Sequence, residues 1–256
     1  MKRALPRTNF NSSKLIRFLT DLSIVDAAES KQAFAERLGE WFDFADAITL
    51  HAAHNASASK SSAAHSGKPS VANDSVEEEF ARTRTALVNS IATSCSPDGG
   101  EARIKLPTPK PGADIEIAAA YDPFHRFYLA HQSEMELSIR PLRARVRLAL
   151  SAASATLGQL AGLDAALGKI LEGRERQLLS TVPLLLEIRF EQLRHIHRQR
   201  LADAQQADDP GLWMQSGEWL ALFCRELQGI LLAELDLRLQ PTVGLIEAFS
   251  NKVNTH

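Results

Sequence analysis

Apolar residues recur along this chain at steps of three and four, which puts them on one face of an α-helix, and no stretch alternates as a half-buried strand would. A first short helix, about 13–25, follows the cap residues Ser12 and Ser13 and carries Leu15, Phe18, Leu19 and Leu22 on one face. A second, about 30–50, spaces Phe34, Leu38, Trp41, Phe42, Ala45 and Ile48 over a face so wide that it must pack. Its aromatics (Phe34, Trp41, Phe42, Phe44) are read as core. From 51 to 74 the pattern collapses into Ala, Ser, His, Asn, Gly and Lys, and a flexible low-complexity linker is expected. Ser75-Val76-Glu77-Glu78 then opens a helix to about Ser94, burying Phe80, Leu87, Val88 and Ile91. Pro107, Pro109 and Pro111 make an extended loop to about 120.

The pattern strengthens from Tyr121. Asp122-Pro123 is a helix start, a cap residue with proline behind it, and Phe124, Phe127, Tyr128, His131 and Met135 share a face. Arg140-Pro141 is expected to break or kink this helix. Leu142, Val146, Ala149, Ala153, Leu157, Leu160, Leu163, Leu167 and Ile170 then keep bundle-like, coiled-coil-like spacing, with glycines and alanines that permit close approach. Thr181 and Pro183 mark a restart, followed by Leu186, Phe190, Leu193 and Ile196. Asp208-Asp209-Pro210-Gly211 reads as a turn. The last long helix, about 211–239, carries Trp213, Leu220, Phe223, Cys224, Leu227, Ile230, Leu231 and Leu235, and is expected to be the most buried. Gln240-Pro241 should end it, leaving a short closing helix.

These elements predict an all-α protein, a multi-helix bundle with long kinked helices. Residues 1–50 form N-terminal amphipathic helices, 51–74 the linker, 75–120 a helix with a Pro-rich loop, and 121–250 the bundle core. At 256 residues and 45% hydrophobic, the chain is large enough to bury a core without disulfide staples. The formal charge of −2 gives no general attraction to nucleic acid or anionic lipid. It conceals an asymmetry: residues 138–200 hold eleven Arg/Lys against five Asp/Glu, and residues 203–249 hold two against eight. The simplest expectation is that these segments meet within the fold or in a self-associated dimer; the sharper one is that the basic face binds an acidic partner. Cys95 and Cys224 lie in no metal-ligand or redox spacing and read as reduced structural thiols. Neither a signal peptide nor a transmembrane run is visible, so a cytoplasmic protein is expected.

Chemistry is sparse. The Glu-x-x-His pairs of carboxylate-bridged metal bundles, His-Glu-x-x-His, phosphate-cradling glycine loops and the Gly-x-Ser-x-Gly elbow are all missing. His51 and His54 are spaced to touch one metal but have no carboxylate or thiol companion; His195 and His197 point to different faces. Glu191 and His195, one turn apart, read as a surface pair. The expectation is therefore no enzyme, no metal and no cofactor. What stands out is arginine. Arg140, Arg143 and Arg147 line one side of a helix with Arg145 off that side, and Arg194 and Arg198 lie further along the basic segment. These six are the candidate partner-binding residues. The leading expectation is a protein–protein interaction module; nucleic-acid binding through the Arg140–Arg147 stripe and a self-associating structural bundle are the alternatives.

Five stretches, Tyr121-Asp-Pro-Phe-His-Arg-Phe-Tyr, Ile139-Arg-Pro-Leu-Arg-Ala-Arg-Val-Arg, Leu160-Ala-Gly-Leu-Asp, Arg174-Glu-Arg-Gln-Leu-Leu-Ser-Thr-Val-Pro and Leu231-Leu-Ala-Glu-Leu-Asp-Leu-Arg-Leu-Gln-Pro, together resemble the proteobacterial domain-of-unknown-function family 3348, over roughly residues 120–250. The resemblance brings no catalytic residues. It implies a cytosolic accessory of an ion-driven, motor- or channel-like envelope complex.

Overall fold

The computed structural model describes residues 13–22, 41–56, 69–96 and 102–253. Eight helices are found among them, and no strand: α1 (Lys14–Asp21), α2 (Phe44–Ala56), α3 (Pro69–Cys95), α4 (Ile115–Ala118), α5 (Asp122–Ala153), α6 (Ala155–Leu179), α7 (Val182–Ala204) and α8 (Trp219–Val253). The expected Ser12 cap, Phe34 and Leu38, and the heart of the expected linker at 57–68, lie outside the described residues.

The all-α reading holds, and the centre is α8. Leu220, Phe223, Leu227, Ile230, Leu231, Leu235, Leu245 and Phe249 are all buried, and α1, α3, α5, α6 and α7 all pack against it. The N-terminal helices therefore lie on the bundle. α1 turns Leu15 and Leu19 inward, and its Phe18 ring sits over Gly229 of α8, where a Cβ would fall 2.4 Å from the ring. α3 lies along α8 and α5, with Leu87 and Ile91 buried. α2 packs on α6, where a Cβ at Gly162 would meet the Ala53 carbonyl at 3.9 Å.

Several boundaries differ from the sequence reading, each for a local reason. The stretch 51–56, expected as linker, continues α2, and α3 begins at Pro69, ahead of the expected Ser75. α2 is a fresh helix rather than the tail of one running 30–50. The Asp43 carboxylate accepts from the Asp46 N–H at 2.8 Å, and the Asp46 carboxylate from the Asp43 N–H at 3.2 Å, a reciprocal box that starts the helix at Phe44. This leaves Phe44 83% exposed, so that aromatic is not core.

Pro141 and Pro241 break nothing: α5 and α8 run through both. A proline withholds one N–H from the carbonyl four residues back, here Leu137 and Leu237, and both leucines are exposed, so solvent takes the donor's place. The break falls at Ser154 instead. Its backbone is extended and its hydroxyl accepts from Leu157 N–H at 3.2 Å, capping α6 and turning the expected continuous run Leu142–Ile170 into a helical hairpin.

α8 starts at Trp219, not near 211, because residues 205–218 form a loop tied to α7. Asp208 Oδ1 accepts from His197 Nε2 at 3.0 Å and from Trp213 Nε1–H at 2.6 Å, which holds the buried Trp213 outside any helix. His197 therefore takes the inward position expected for Ile196, which is exposed. Beside this clamp, Phe190 packs on Tyr121, Phe124, Trp219 and Phe223 at centroid distances of 5.0–5.6 Å. Asp122 is the first residue of α5, its carboxylate 3.0 Å from Arg126, and not its cap.

The Phe18–Gly229 contact makes a prediction of sign. Gly229→Ala adds helix propensity of about 1 kcal/mol but drives a methyl into the ring, an overpacking that costs about 1–3 kcal/mol. Chemical denaturation should show Gly229→Ala destabilising in the native background and stabilising in a Phe18→Ala background. The same sign in both would show that α1 does not seat there.

Candidate functional site

α5 and α6 form an antiparallel hairpin whose middle is held by charge. Successive rungs pair Arg147 and Arg143 with Asp164, Arg140 with Glu172, and Arg176 with Glu136, while the Gln132 amide donates to the Leu179 carbonyl at 3.2 Å. Residue numbers rise on α5 as they fall on α6. Only Leu157, Ala161 and Leu179 of α6 are fully buried, so apolar packing fastens its two ends and leaves a cleft of about 660 Å³ between them. Gly168 keeps the wall low. A Cβ there would come 3.1 Å from an Arg147 Nη and 3.7 Å from an Arg143 Nη.

One end of this cleft is strongly organised. Arg143 donates from Nε (2.9 Å) and Nη2 (2.5 Å) to the two oxygens of Asp164, and Arg147 donates from Nε at 2.6 Å to the same carboxylate and from Nη2 at 3.2 Å to its backbone carbonyl. One carboxylate thus fixes two guanidiniums, both largely buried, in the fork geometry that favours anions. Arg140 is the opposite case: 74% exposed, its nearest carboxylate oxygen 3.9 Å away at Glu172. Lys169 has no ion-pair partner among the described residues.

The other end rests on a buried network that the sequence reading missed. Glu234 of α8 is fully buried and accepts from Tyr128 O–H at 2.6 Å, Gln132 Nε2 at 3.0 Å and Arg238 Nε at 2.8 Å. Three donors, one of them a guanidinium, offset the cost of burying this carboxylate. Burial, reinforced by Glu234, pushes the Tyr128 hydroxyl well above its ordinary pKa, so it stays a donor. Arg238 then lines the cleft. Glu234 and Arg238 stand one turn apart in sequence, the only advance signal of this pair.

The remaining candidate arginines lie elsewhere. Arg145 points to α3 and pairs with Glu79; Arg194 and Arg198 both reach Glu116 of α4, at 2.7 and 3.6 Å. The structure thus brings Arg140, Arg143 and Arg147 together in one groove and separates Arg145, Arg194 and Arg198 from them. Part of the basic–acidic asymmetry is resolved inside the fold, through Arg189–Glu226 (2.7 Å) and Arg200–Glu218 (2.6 Å). His195 is exposed, and Glu191 pairs with Arg194. Among the described residues no group of three His, Cys, Asp or Glu is placed to hold a metal, and no helix is long and apolar enough to cross a membrane. His51 and His54 lie on α2, where their ring nitrogens meet Asn55 and Gln159; His65 lies outside the described residues. Burial raises the Cys95 thiol to about 11 and the Cys224 thiol to about 12, which keeps both protonated and unreactive.

A second cluster joins α3, α5 and the loop before α4. Glu134 accepts from Ser90 Oγ at 2.7 Å and from Arg103 at 2.6 Å, with His131 Nδ1 3.6 Å away. His131 is buried and neither ring nitrogen has a hydrogen-bond partner. Desolvation outweighs Glu134 and lowers its pKa below 6.5.

Two outcomes follow. Below pH 6.5 the unfolded chain takes up a proton at His131 that the folded chain refuses, so this group's contribution falls as pH drops through 6.5 and is flat above it. The difference in melting temperature between native protein and His131→Met should therefore shrink or reverse from pH 7.5 to pH 5; a constant difference would mean a pKa unchanged by folding, and one that grows toward pH 5 a bonded, charged histidine. Glu234→Ala strands Arg238 and two amide or hydroxyl donors, and should cost about 3–5 kcal/mol in denaturant unfolding; a loss under about 1 kcal/mol would mean water or rearrangement satisfies them.

No curated protein and no solved structure matches the chain. The family model does, and it extends over the N-terminal helices that the sequence resemblance left out: matched along residues 1–251, the chain belongs to the family described as "Protein of unknown function (DUF3348)".

Proposed function

We propose that this chain is a non-enzymatic protein–protein interaction module that docks a partner in the α5–α6 groove. One observation carries the reading: the groove is walled by ion pairs instead of packed side chains, and it collects three of the six arginines that stand out in the sequence. A helix pair whose only purpose was stability would close over apolar side chains, since exposed ion pairs contribute little. The rigid Arg143–Asp164–Arg147 fork, with exposed Arg140 and Lys169 beside it, suits recognition. The family resemblance adds the kind of partner to seek, an ion-driven envelope complex to which the chain would be a cytosolic accessory.

Arg143 and Arg147 are poor test positions, because their guanidiniums anchor α6 through Asp164. Arg140 and Lys169 are better. Tagged full-length chain, native and Arg140→Ala/Lys169→Ala, is used for capture from native cells with and without mild detergent, read by mass spectrometry and by nucleic-acid absorbance. The expected result is a protein partner retained by the native chain and reduced about fivefold or more by the variant at unchanged melting temperature. Equal recovery on both chains, or nucleic acid as the retained species, overturns the proposal.

A further inference from the structure

The groove is polarised along its length. At the Arg147 end, Arg140, Arg143, Arg147 and Lys169 gather around Asp164, four cations to one carboxylate, with Glu172 3.9 Å from Arg140 at the boundary. At the Arg176 end, Arg176 and Arg238 face Glu136, Glu172 and Glu175, two against three, with Glu172 3.0 Å from Arg176. Arg143 and Arg147 each spend Nε and Nη2 on Asp164, and among the described residues neither Nη1 has a hydrogen-bond partner and Lys169 has no ion pair. The rungs from Gln132 to Arg147 span 15 residues of α5, or about 22 Å at 1.5 Å per residue.

The walls decide what shape of partner fits. Both are α-helices, whose backbone N–H and C=O groups are already used, so an extended peptide finds no ladder to join. A helix satisfies its own backbone and offers only side chains, which is what a groove lined by guanidiniums, a lysine and the apolar Leu129, Ile139 and Leu179 can read. A nucleic acid would set phosphates along the whole length, against Glu136 and Glu175.

Resting on the reading above, we propose that the groove binds an acidic amphipathic helix of a protein partner, with that helix's carboxylates on Arg140, Lys169 and the free edges of Arg143 and Arg147. Partner carboxylates complete the valences that Asp164 leaves open, and the Arg176 end, with its excess of carboxylates, sets the helix direction by rejecting its acidic end.

The test uses the full chain and a fluorescent synthetic helix of about 15–20 residues, the length of the groove, with glutamates clustered in one half and leucines at helical spacing. Controls are the same peptide with lysine for glutamate, and a single-stranded oligonucleotide. Anisotropy should show saturable binding of the acidic peptide that weakens with salt and weakens about tenfold or more with Arg140→Glu/Lys169→Glu. The neutral pair Arg140→Gln/Lys169→Gln gives the same ranking should charge reversal disturb folding, which circular dichroism reports. Absent binding, binding indifferent to both variants, or a variant-sensitive preference for the oligonucleotide overturns the proposal. The two proposals fail separately. A native partner lost on Arg140→Ala/Lys169→Ala but not displaced by the acidic peptide removes the acidic helix and keeps the docking groove. A native partner indifferent to both removes both.

Discussion

Everything in this fold answers to the burial of α8. A helix of 35 residues with large apolar side chains over most of its surface leaves only a narrow exposed strip, which includes Leu237, Gln240, Pro241 and Gly244, so other helices must wall in the rest. α1, α3, α5, α6 and α7 do so. The contacts are shaped to that end: Phe18 lies on the bare backbone at Gly229, and Phe190 fills the space among Tyr121, Phe124, Trp219 and Phe223. A fully buried carboxylate such as Glu234 must be met in full, and Tyr128, Gln132 and Arg238 meet it. Those residues then fix where α5 stands relative to α8, which sets the floor of the groove.

α6 follows a different rule. It contains Gly158, Gly162, Gly168 and Gly173, each lowering helix propensity, and it buries few side chains. With the apolar surface of α8 covered mainly by its neighbours, α6 is held along its middle by ion pairs. Partly screened pairs are weak holders but good selectors, since charge fixes partner and orientation more than affinity. The same feature that makes α6 the least core-like long helix makes the α5–α6 groove the most recognition-like surface.

The His197–Asp208–Trp213 clamp, the His131–Glu134 cluster and the Glu234 network show three treatments of buried polarity. In the clamp Asp208 satisfies both an imidazole and an indole, so the loop from 205 to 218 is tied down without being helical. At His131 the imidazole is simply enclosed, neutral and unbonded, and the cost is displaced into a dependence on pH. At Glu234 the charge is retained and neutralised by its neighbours.

Period and composition were enough to determine an all-α chain, the inward faces of α1, α3 and the first half of α5, the restart at Pro183, and the depth of the last long helix. These depend on burying apolar residues at 3.6-residue spacing, which is written locally. Helix ends were legible only where the signal was stronger than its surroundings. Pro241 read as a break, and Pro141 as a break or a kink, because sequence cannot tell that Leu137 and Leu237, one turn back, lie at the surface; the Ser154 turn was invisible because its cap gains meaning only when α6 folds back on α5. The arginine stripe was evident, but its partition was not. Asp164 lies 17 and 21 residues from Arg147 and Arg143, and Glu79 and Glu116 lie in other helices altogether, so which cations are spent inside the fold and which remain at the groove is a property of tertiary packing. Glu234 gave only its one-turn spacing to Arg238 as a hint: a carboxylate in an apolar helix reads as a solvent-facing position until Tyr128 and Gln132 of another helix converge on it as well.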